Sequence, residues 1–170
     1  MRWTCSRCGS VHDGAPLDWS YDAPIYWHSL SDEARESRGR LSDDLCVIQD
    51  EDGDHFFIRG VLPIPVASPE KEFRYGVWTS LSETSFRRIV DLWDDPSRTE
   101  EPPYFGWLSN SIPGYPETLN LKTNVHTRAL NLRPLVELQP TDHPLAIEQR
   151  EGISAQRLQE IIEQHLHETR

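Results

Sequence analysis

The segment from residue 5 to residue 12 reads C-S-R-C-G-S-V-H, and it constrains the fold more than any other stretch of the chain. Two cysteines separated by two residues and followed by a glycine are typical of a zinc knuckle, in which both thiolates lie on one tight turn. Zinc in a structural site takes four sulfur or nitrogen ligands. If Cys5 and Cys8 bind zinc, the fold must therefore bring two further ligands to this turn.

The remaining ligands must come from nearby on the loop or from elsewhere in the sequence. Cys46 is the third candidate, because the fold can bring a thiol on a strand beside an N-terminal loop. For the fourth, His12 lies on the same loop as the cysteines, and His28 and His55 are less local alternatives. The expected set is Cys5, Cys8, Cys46 and His12. Four protein ligands leave no position for water, so the predicted cofactor is a structural zinc ion.

Three other interpretations of the cysteine pair stay open. A redox pair needs its first cysteine at a helix N-terminus, where the helix dipole lowers the thiol pKa, but V-H-D-G-A-P follows the pair and cannot continue as a helix. The two thiols could also be free, and Cys46 could be just a small apolar residue, as a buried strand cysteine commonly is. A catalytic zinc ion, finally, would have three protein ligands and one water.

The length and charge of the chain limit its architecture and its partners. A chain of 170 residues suits one domain, 1–170, in which we expect the cysteine loop at 1–20 to pack on a sheet and 153–168 to form a C-terminal helix. The formal net charge is −11, from 28 acidic and 17 basic residues, without a basic run. Nucleic acid and anionic membranes are therefore disfavoured, and another protein with a cationic surface is the easier match.

The sequence favours a cytoplasmic location. The first residues, M-R-W-T-C-S-R-C, lack the apolar segment of a secretion signal, and no stretch reaches the length that spans a bilayer. Three cysteines are an odd number, whereas a disulfide framework uses an even one. We therefore expect reduced thiols.

Apolar runs and turn residues predict a series of strands. The runs at 45–49 and 55–61 are separated by E-D-G-D, which predicts a hairpin, and 73–81 alternates apolar with mixed residues. Pro63 and Pro65 cannot donate to a strand ladder, so L-P-I-P-V is expected to lie at a sheet edge or to leave the sheet. Further strands are predicted at 104–108, 121–128 and 134–138.

Helices are predicted where a serine precedes a helical pattern. Ser31, Ser82 and Ser154 are the expected N-caps, and Pro144 suits the first turn of a shorter helix. The helix after Ser82 carries one apolar stripe, Phe86, Ile89, Val90 and Trp93. The predicted fold class is α+β, with an antiparallel or mixed sheet, flanking helices and an N-terminal loop resembling a zinc knuckle.

The segment T-D-H-P-L-A-I-E-Q-R-E-G brings His143, Glu148 and Arg150 into a short space. A histidine beside carboxylates could perform acid–base chemistry. The alternative is structural: Thr141 or Asp142 caps the helical turn, and Glu148 and Arg150 make surface or core-edge ion pairs, with no nucleophile nearby. An enzymatic role requires His143 and Glu148 to converge on one concave pocket.

Six tryptophans are many for a chain of this length. Trp78 and Trp107, with Tyr115 in the loop N-S-I-P-G-Y-P, could line a binding groove, because tryptophan and tyrosine are favoured where a surface binds a partner. Core packing is the competing role. The common nucleotide-binding, hydrolase and metalloprotease motifs are absent from the sequence.

Several quoted segments together resemble one bacterial family, domain of unknown function 2199. They are C-S-R-C-G-S-V-H, S-D-D-L-C-V-I, H-F-F-I-R-G, Y-G-V-W-T-S-L-S, P-Y-F-G-W-L-S-N-S-I-P-G-Y and T-D-H-P-L-A-I-E-Q-R-E-G-I. The resemblance covers nearly the whole chain from the first cysteine into the final helix. It implies a single-domain bacterial protein and matches Cys5, Cys8 and Cys46 to the cysteine positions of the family. It implies no activity.

Two functions are carried forward. The first is a non-enzymatic, zinc-stabilised binding or regulatory module whose partner surface consists of aromatic residues and the proline-rich loop. The second is a hydrolase-like enzyme acting on a small molecule, with His143 and Glu148 in a pocket near Trp78 and Trp107. The arrangement of these side chains in the fold distinguishes the two.

Overall fold

Strands dominate the first two thirds of the computed structural model, which describes residues 2–67 and 71–168. The first half contains β1 (Arg2–Thr4), β2 (Val11–Asp13), β3 (Asp18–Ser20), α1 (Ile25–His28), α2 (Asp32–Arg38), β4 (Gly39–Leu41), β5 (Leu45–Ile48), β6 (His55–Val66) and β7 (Lys71–Leu81). The second half contains α3 (Glu83–Asp91), a 3-10 helix (Pro96–Glu100), β8 (Tyr104–Leu108), β9 (Lys122–His126), β10 (Leu135–Leu138), α4 (Pro144–Glu151) and α5 (Ala155–Glu168).

A closed five-stranded barrel forms the centre of the fold. The strands β6, β7, β8, β9 and β10 pair in that order, each antiparallel to the next. The barrel closes where β10 meets β6 in parallel, with Leu135 opposite Val61. Outside the barrel, β3 pairs in parallel with β7, and β5 and β4 extend the sheet from β6. The predicted α+β class with a mixed sheet is confirmed.

Side chains from alternate positions of the barrel strands fill its interior. Leu62, Ile64, Phe73, Tyr75 and Val77 are buried there in one cluster, which continues into buried residues of α4 and α5. The other end holds a second cluster that includes Phe86 and Ile89 of α3. The helices therefore cover both ends of the barrel, because each has an apolar face that must be buried.

A third cluster lies on the outer face of the sheet. It consists of the buried residues Cys46, Ile48, Phe57 and Trp78, packed against Tyr21, Trp27 and Leu30. The indole Nε1 of Trp78 donates to the carbonyl of Tyr21 at 2.8 Å, so this tryptophan is both fully buried and hydrogen-bonded. The segment around α1 thus covers the outer surface of β5, β6 and β7.

The prolines of β6 stay within the sheet and face one of its edges. Pro63 and Pro65 lie opposite Arg74 and Glu72 of β7, so the strand does not leave the sheet. Val61, Pro63 and Pro65 are alternate residues of β6, so their backbone nitrogens face the same side of the strand. The amide of Val61 points away from β7 and donates to the carbonyl of Pro134 at 2.8 Å. In the described part of the chain, β10 pairs with β6 only at Val61. The nitrogens of Pro63 and Pro65, which carry no hydrogen, therefore face a largely unpaired edge of β6. A position at a sheet edge is one of the two predicted outcomes.

Serine side chains begin three helices as predicted. The hydroxyl oxygens of Ser31, Ser82 and Ser154 accept from the amides of Ala34, Ser85 and Arg157 at 3.2, 3.1 and 3.1 Å. The predicted stripe of α3 is wrong at Val90, which is 41 % exposed, since the helix buries Phe86 and Ile89 alone. None of the helices in the described ranges has the length and apolar character needed to cross a bilayer.

We expect Gly106→Ala to lower the free energy of unfolding by about 2 kcal/mol, because a Cβ atom there has no space. Built on the backbone of β8, it would lie 2.6 Å from the carbonyl oxygen of Ser80 and would also overlap the Thr79 side chain. Urea unfolding measures the change. Thr123→Val is the control, since its buried hydroxyl has no hydrogen-bond partner among the described residues, and the variant should lose no stability. Equal midpoints for Gly106→Ala and the unmodified protein would refute the steric argument.

Candidate metal centre

The two cysteines of the N-terminal motif lie on a tight turn between β1 and β2. The amide of Cys5 donates to the carbonyl of Ser10, and the amide of Gly9 donates to the carbonyl of Cys5, both at 2.9 Å. Gly9 has φ +71°, a conformation that costs glycine little and other residues more. The glycine of the C-x-x-C-G motif thus lets the chain reverse directly after Cys8.

His12 joins the turn through the pairing of β1 with β2. It lies opposite Trp3, and the two rings stack with centroids 4.6 Å apart. The ligand atoms of Cys5, Cys8 and His12 all lie within 4.8 Å of one another. The Nε2 atom of His12 is buried and has no hydrogen-bond partner among the described residues. Two thiols and an imidazole therefore form a group that is close enough to hold a metal ion.

The surroundings of Cys8 favour its thiolate. Hydrogen bonds from the side chain and then the amide of Ser10, followed by one from Cys5, lower the pKa of Cys8 to about 6. A smaller contribution in the same direction comes from the His12 side chain, against a small opposing effect of burial. The thiolate is the form of cysteine that binds metals. Near neutral pH this thiol is therefore prepared to act as a ligand.

Hydrogen bonds fasten the cysteine turn to α5, while Asp18–Ser20 of the same N-terminal segment pair with β7 of the sheet. The amide of Ser6 donates to Glu163 Oε1 at 2.8 Å, and the Ser6 hydroxyl donates to the other oxygen of the same carboxylate. Arg7 donates to the side-chain carbonyl of Gln164. The side chain of Gln159 donates to the carbonyl of Thr4 at 3.3 Å. The N-terminal loop is thereby fastened along one face of the C-terminal helix.

The carboxylate of Glu163 stays ionised although the residue is only 4 % exposed. Burial by itself would raise the pKa of Glu163, but hydrogen bonds from Gln159 and from Ser6, together with the charge of Arg7, outweigh it and lower the pKa. The turn thus binds to a fixed negative charge.

His167 also reaches the cysteine turn, and it was missing from the predicted ligands. Its Nε2 lies 3.1 Å from the Sγ of Cys5. The sequence contains a signal for this position, because Gln159, Glu163 and His167 are four residues apart and therefore lie along one face of a helix. The pattern could suggest a shared surface, but it could not identify the cysteine turn as the partner.

Cys46 is separate from this group, contrary to our expectation for the third thiolate. It belongs to β5 and is fully buried in the outer cluster with Phe57 and Trp78. Burial raises the pKa of Cys46 to about 12, which favours the neutral thiol. The alternatives His28 and His55 are exposed and lie outside the group as well. The side chain of Cys46 therefore acts as a small apolar residue of the core.

His143 and Glu148 do not converge on a pocket. His143 is the N-cap of α4: its Nδ1 accepts from the amide of Leu145 at 3.1 Å, and its Nε2 lies 3.2 Å from the carbonyl of Glu117. Glu148 accepts from Arg157 at 2.7 Å and from the hydroxyl of Tyr115. The exposed Arg150 donates to the carbonyl of Thr141 at 3.0 Å. The cap is thus His143 and not the predicted Thr141 or Asp142, Glu148 forms an ion pair with Arg157, and Arg150 bonds to a backbone carbonyl instead of a carboxylate.

The candidate aromatic residues occupy three different environments. Trp78 is inaccessible in the outer cluster, and Tyr115 is bonded to Glu148. Trp107 is 40 % exposed on the outer face of β8, where it packs edge to face against Phe105, which is 45 % exposed. They therefore do not line a common groove, and of the three only Trp107 is exposed, beside the exposed Phe105.

One cavity is lined by residues that do not belong to the cysteine turn. It measures about 610 Å³, and its lining includes Arg98, Glu101, Tyr104, Arg128 and Arg133. Neither His143 nor Glu148 lines it. The guanidinium of Arg98 donates to the carbonyls of Trp93, Arg128, Ala129 and Leu132. Its charge therefore fixes the loop that borders the cavity.

Comparison with known proteins places the chain in a family. A family model described as an uncharacterised protein conserved in bacteria, DUF2199, matches residues 4–153. The chain belongs to this family. The match contains the cysteine turn and the whole barrel of the DUF2199 chain, and it ends before α5. No curated protein and no solved structure matches it.

We expect Glu163→Ala to lower the free energy of unfolding of the metal-free DUF2199 protein by about 2 kcal/mol, since it removes a charged acceptor of three hydrogen bonds, two from Ser6 and one from Gln159. Urea unfolding in the presence of a chelator measures the change without a contribution from metal. Glu160→Ala is the matched control, because Glu160 is exposed and forms a 3.4 Å surface ion pair with Arg157. Its removal should cost less than about 0.5 kcal/mol. Equal losses in the two variants would contradict the anchoring role of Glu163.

Proposed function

We propose that the protein is a non-enzymatic binding or regulatory module that a structural zinc ion stabilises. The carrying observation is the mutual approach of Cys5, Cys8 and His12 within 4.8 Å on a turn that leads into a paired strand. Thiolate and imidazole are the ligands that zinc prefers in structural sites. The geometry of the turn supports this role, because two cysteines and the glycine after them match a zinc knuckle.

The proposed role of the metal is to hold the fold together. The ligands lie on a short hairpin, β1 with β2, which pairs with no other strand of the described chain. Isolated two-stranded hairpins are at best marginally stable in water. A metal ion bound between the strand ends would stabilise this hairpin and its contact with α5.

We propose no reaction, because the two candidate catalytic side chains are bonded to other groups of the protein. Acid–base chemistry needs a group whose proton-accepting atom faces a substrate. Both ring nitrogens of His143 are occupied by backbone groups, and the carboxylate of Glu148 is occupied by Arg157 and Tyr115. The proposal includes a cytoplasmic location, where the reducing environment keeps thiols available as metal ligands.

The proposed partner surface is the aromatic pair on β8, Phe105 and Trp107. Their rings lie 5.0 Å apart on the outer face of the barrel, and the ammonium of Lys122 lies 6.0 Å from the Trp107 ring. Exposed tryptophan and phenylalanine side by side are more typical of binding surfaces than of ordinary protein surface. Another protein is the proposed partner, since the net charge of −11 disfavours nucleic acid.

We expect protein purified without chelator to contain one zinc ion per chain, measured by elemental analysis. Cys8→Ser should lose the metal, whereas Cys46→Ser should retain it, because Cys46 lies in the core. Adding zinc at about 100 times its Kd to the metal-free protein should stabilise the fold by about 3 kcal/mol. Zinc-free protein after purification and after addition of zinc would overturn the proposal, as would full retention by Cys8→Ser.

A photo-crosslinking amino acid at position 105 should capture one discrete protein partner in bacterial cells that contain the natural interaction. The same group at position 90 is the control, because Val90 is 41 % exposed but lies on α3, away from the aromatic pair. Trp107→Ser should abolish the adduct formed from position 105 without changing the zinc content. Identical adducts from positions 105 and 90, or none from either, would contradict the proposed surface.

A further inference from the structure

We propose that His167 supplies the fourth ligand and completes a closed site of two thiolates and two imidazoles. This inference rests on the proposed zinc site and names the part of it that the sequence did not predict. The set is Cys5, Cys8, His12 and His167, and it spans the N-terminal turn and the last turn of α5.

The distances carry the assignment. A tetrahedral zinc ion with bonds of ~2.3 Å to sulfur and ~2.05 Å to nitrogen separates those two ligands by about 3.6 Å. His167 Nε2 lies 3.1 Å from Cys5 Sγ, close to that separation. His167 is outside the group whose atoms all lie within 4.8 Å, so metal binding requires its ring to move towards Cys8 and His12.

A second observation, which concerns His12, supports the same ligand set. The buried Nε2 of His12 has no hydrogen-bond partner among the described residues. A buried nitrogen without a partner costs free energy, and binding a metal ion at this position removes that cost. The imidazoles of His12 and His167 thus approach the two thiols from different elements of the fold.

The surrounding hydrogen bonds hold His167 near the turn before any metal binds. Gln159 and Glu163, about two turns and one turn before His167, fix the backbone of Thr4 and Ser6 to α5. Such outer contacts orient metal ligands. They make the approach of His167 a property of the docked helix rather than of a single flexible side chain.

The charge of this set also differs from that of the set expected from sequence. Three thiolates with Zn²⁺ carry a net charge of −1, whereas two thiolates with two neutral imidazoles carry none. A neutral site is easier to cover with protein, because it has a smaller desolvation cost. Four protein ligands leave no exchangeable position, which agrees with a structural metal.

The consequence is a metal link between distant parts of the chain. Cys5 and His167 are 162 residues apart in sequence. A link that closes a long loop removes conformational freedom from the unfolded chain, and the gain grows slowly with the length of the loop. Zinc would therefore stabilise the docking of α5 as well as the turn.

Cobalt(II) substitution tests the fourth ligand, because the intensity of its visible absorption distinguishes four-coordinate sites from sites of higher coordination. The full chain should give the intense bands of a tetrahedral site. His167→Ala should give weaker, shifted bands, as water enters the shell, and zinc affinity should fall by about 100-fold. This estimate is the upper end of the loss of metal affinity that is typical when a residue that only orients a metal ligand is removed. His28→Ala is the control, since this histidine is exposed and away from the site.

A second variant separates ligation from folding. His167→Cys offers a thiolate at the same place, so it should recover tetrahedral cobalt absorption and increase the sulfur-to-metal charge-transfer band. If the full chain binds neither zinc nor cobalt, both the proposed function and this inference fail. If the full chain binds one ion and His167→Ala matches His28→Ala in spectrum and affinity, this inference alone fails. The same conclusion follows if His167→Cys leaves the charge-transfer band unchanged.

Discussion

Closure of the barrel depends on a close approach between two backbones at Gly60. A Cβ atom at this position would lie 2.6 Å from a methyl group of Val136 and 2.9 Å from the carbonyl oxygen of Pro134. Only glycine allows the segment before β10 to come near enough for the amide of Val61 to donate to Pro134. Without this contact β10 would leave β6, and the interior that α4 and α5 cover would open. The packing of α4 and α5 on the barrel therefore depends in part on one residue without a side chain.

The two sides of α5 perform different tasks. Leu158, Ile161 and Ile162 pack into the barrel cluster, while His165 stacks on Trp19 and bonds to the hydroxyl of Tyr75. The adjoining face presents Glu163 to the cysteine turn. Apolar burial thus fixes the helix, and ionic hydrogen bonds fix the loop to it. Because burial of the inner face is independent of the turn, the helix can act as a rigid support for a metal site.

The sequence predicts those features that depend on neighbouring residues. The serine caps, the hairpin of β5 with β6 and the turn at Gly9 each follow from a few adjacent side chains, and all three form as expected. Barrel closure was not predictable, because a parallel contact between Val61 and Leu135 leaves no periodic trace in either segment. The sequence predicted only that the prolines of β6 lie at a sheet edge or outside the sheet. Which edge they face depends on β10, which is short and pairs with β6 at Val61.

The candidate metal ligands show the same limit of prediction from sequence. Cys5, Cys8 and His12 lie on one hairpin, so their spacing indicates that they meet. Cys46 carried the right chemistry on a strand pattern, yet its neighbours on that strand are buried in an apolar cluster, and the cysteine is buried with them. His167 carried an equally ordinary signal, a polar stripe along a helix. Which of these two residues reaches the turn depends on how the helix docks, and docking is a property of the whole fold.

The contact between Ser6 and Glu163 also has a consequence for biosynthesis, because 157 residues separate its two partners. Ribosomes add about 5 to 20 residues per second, so the cysteine turn waits roughly ten to thirty seconds before its supporting helix exists. During that interval its thiols face solvent, oxidants and competing metals. Synthesis of α5 thus ends the period in which the cysteine turn is chemically vulnerable.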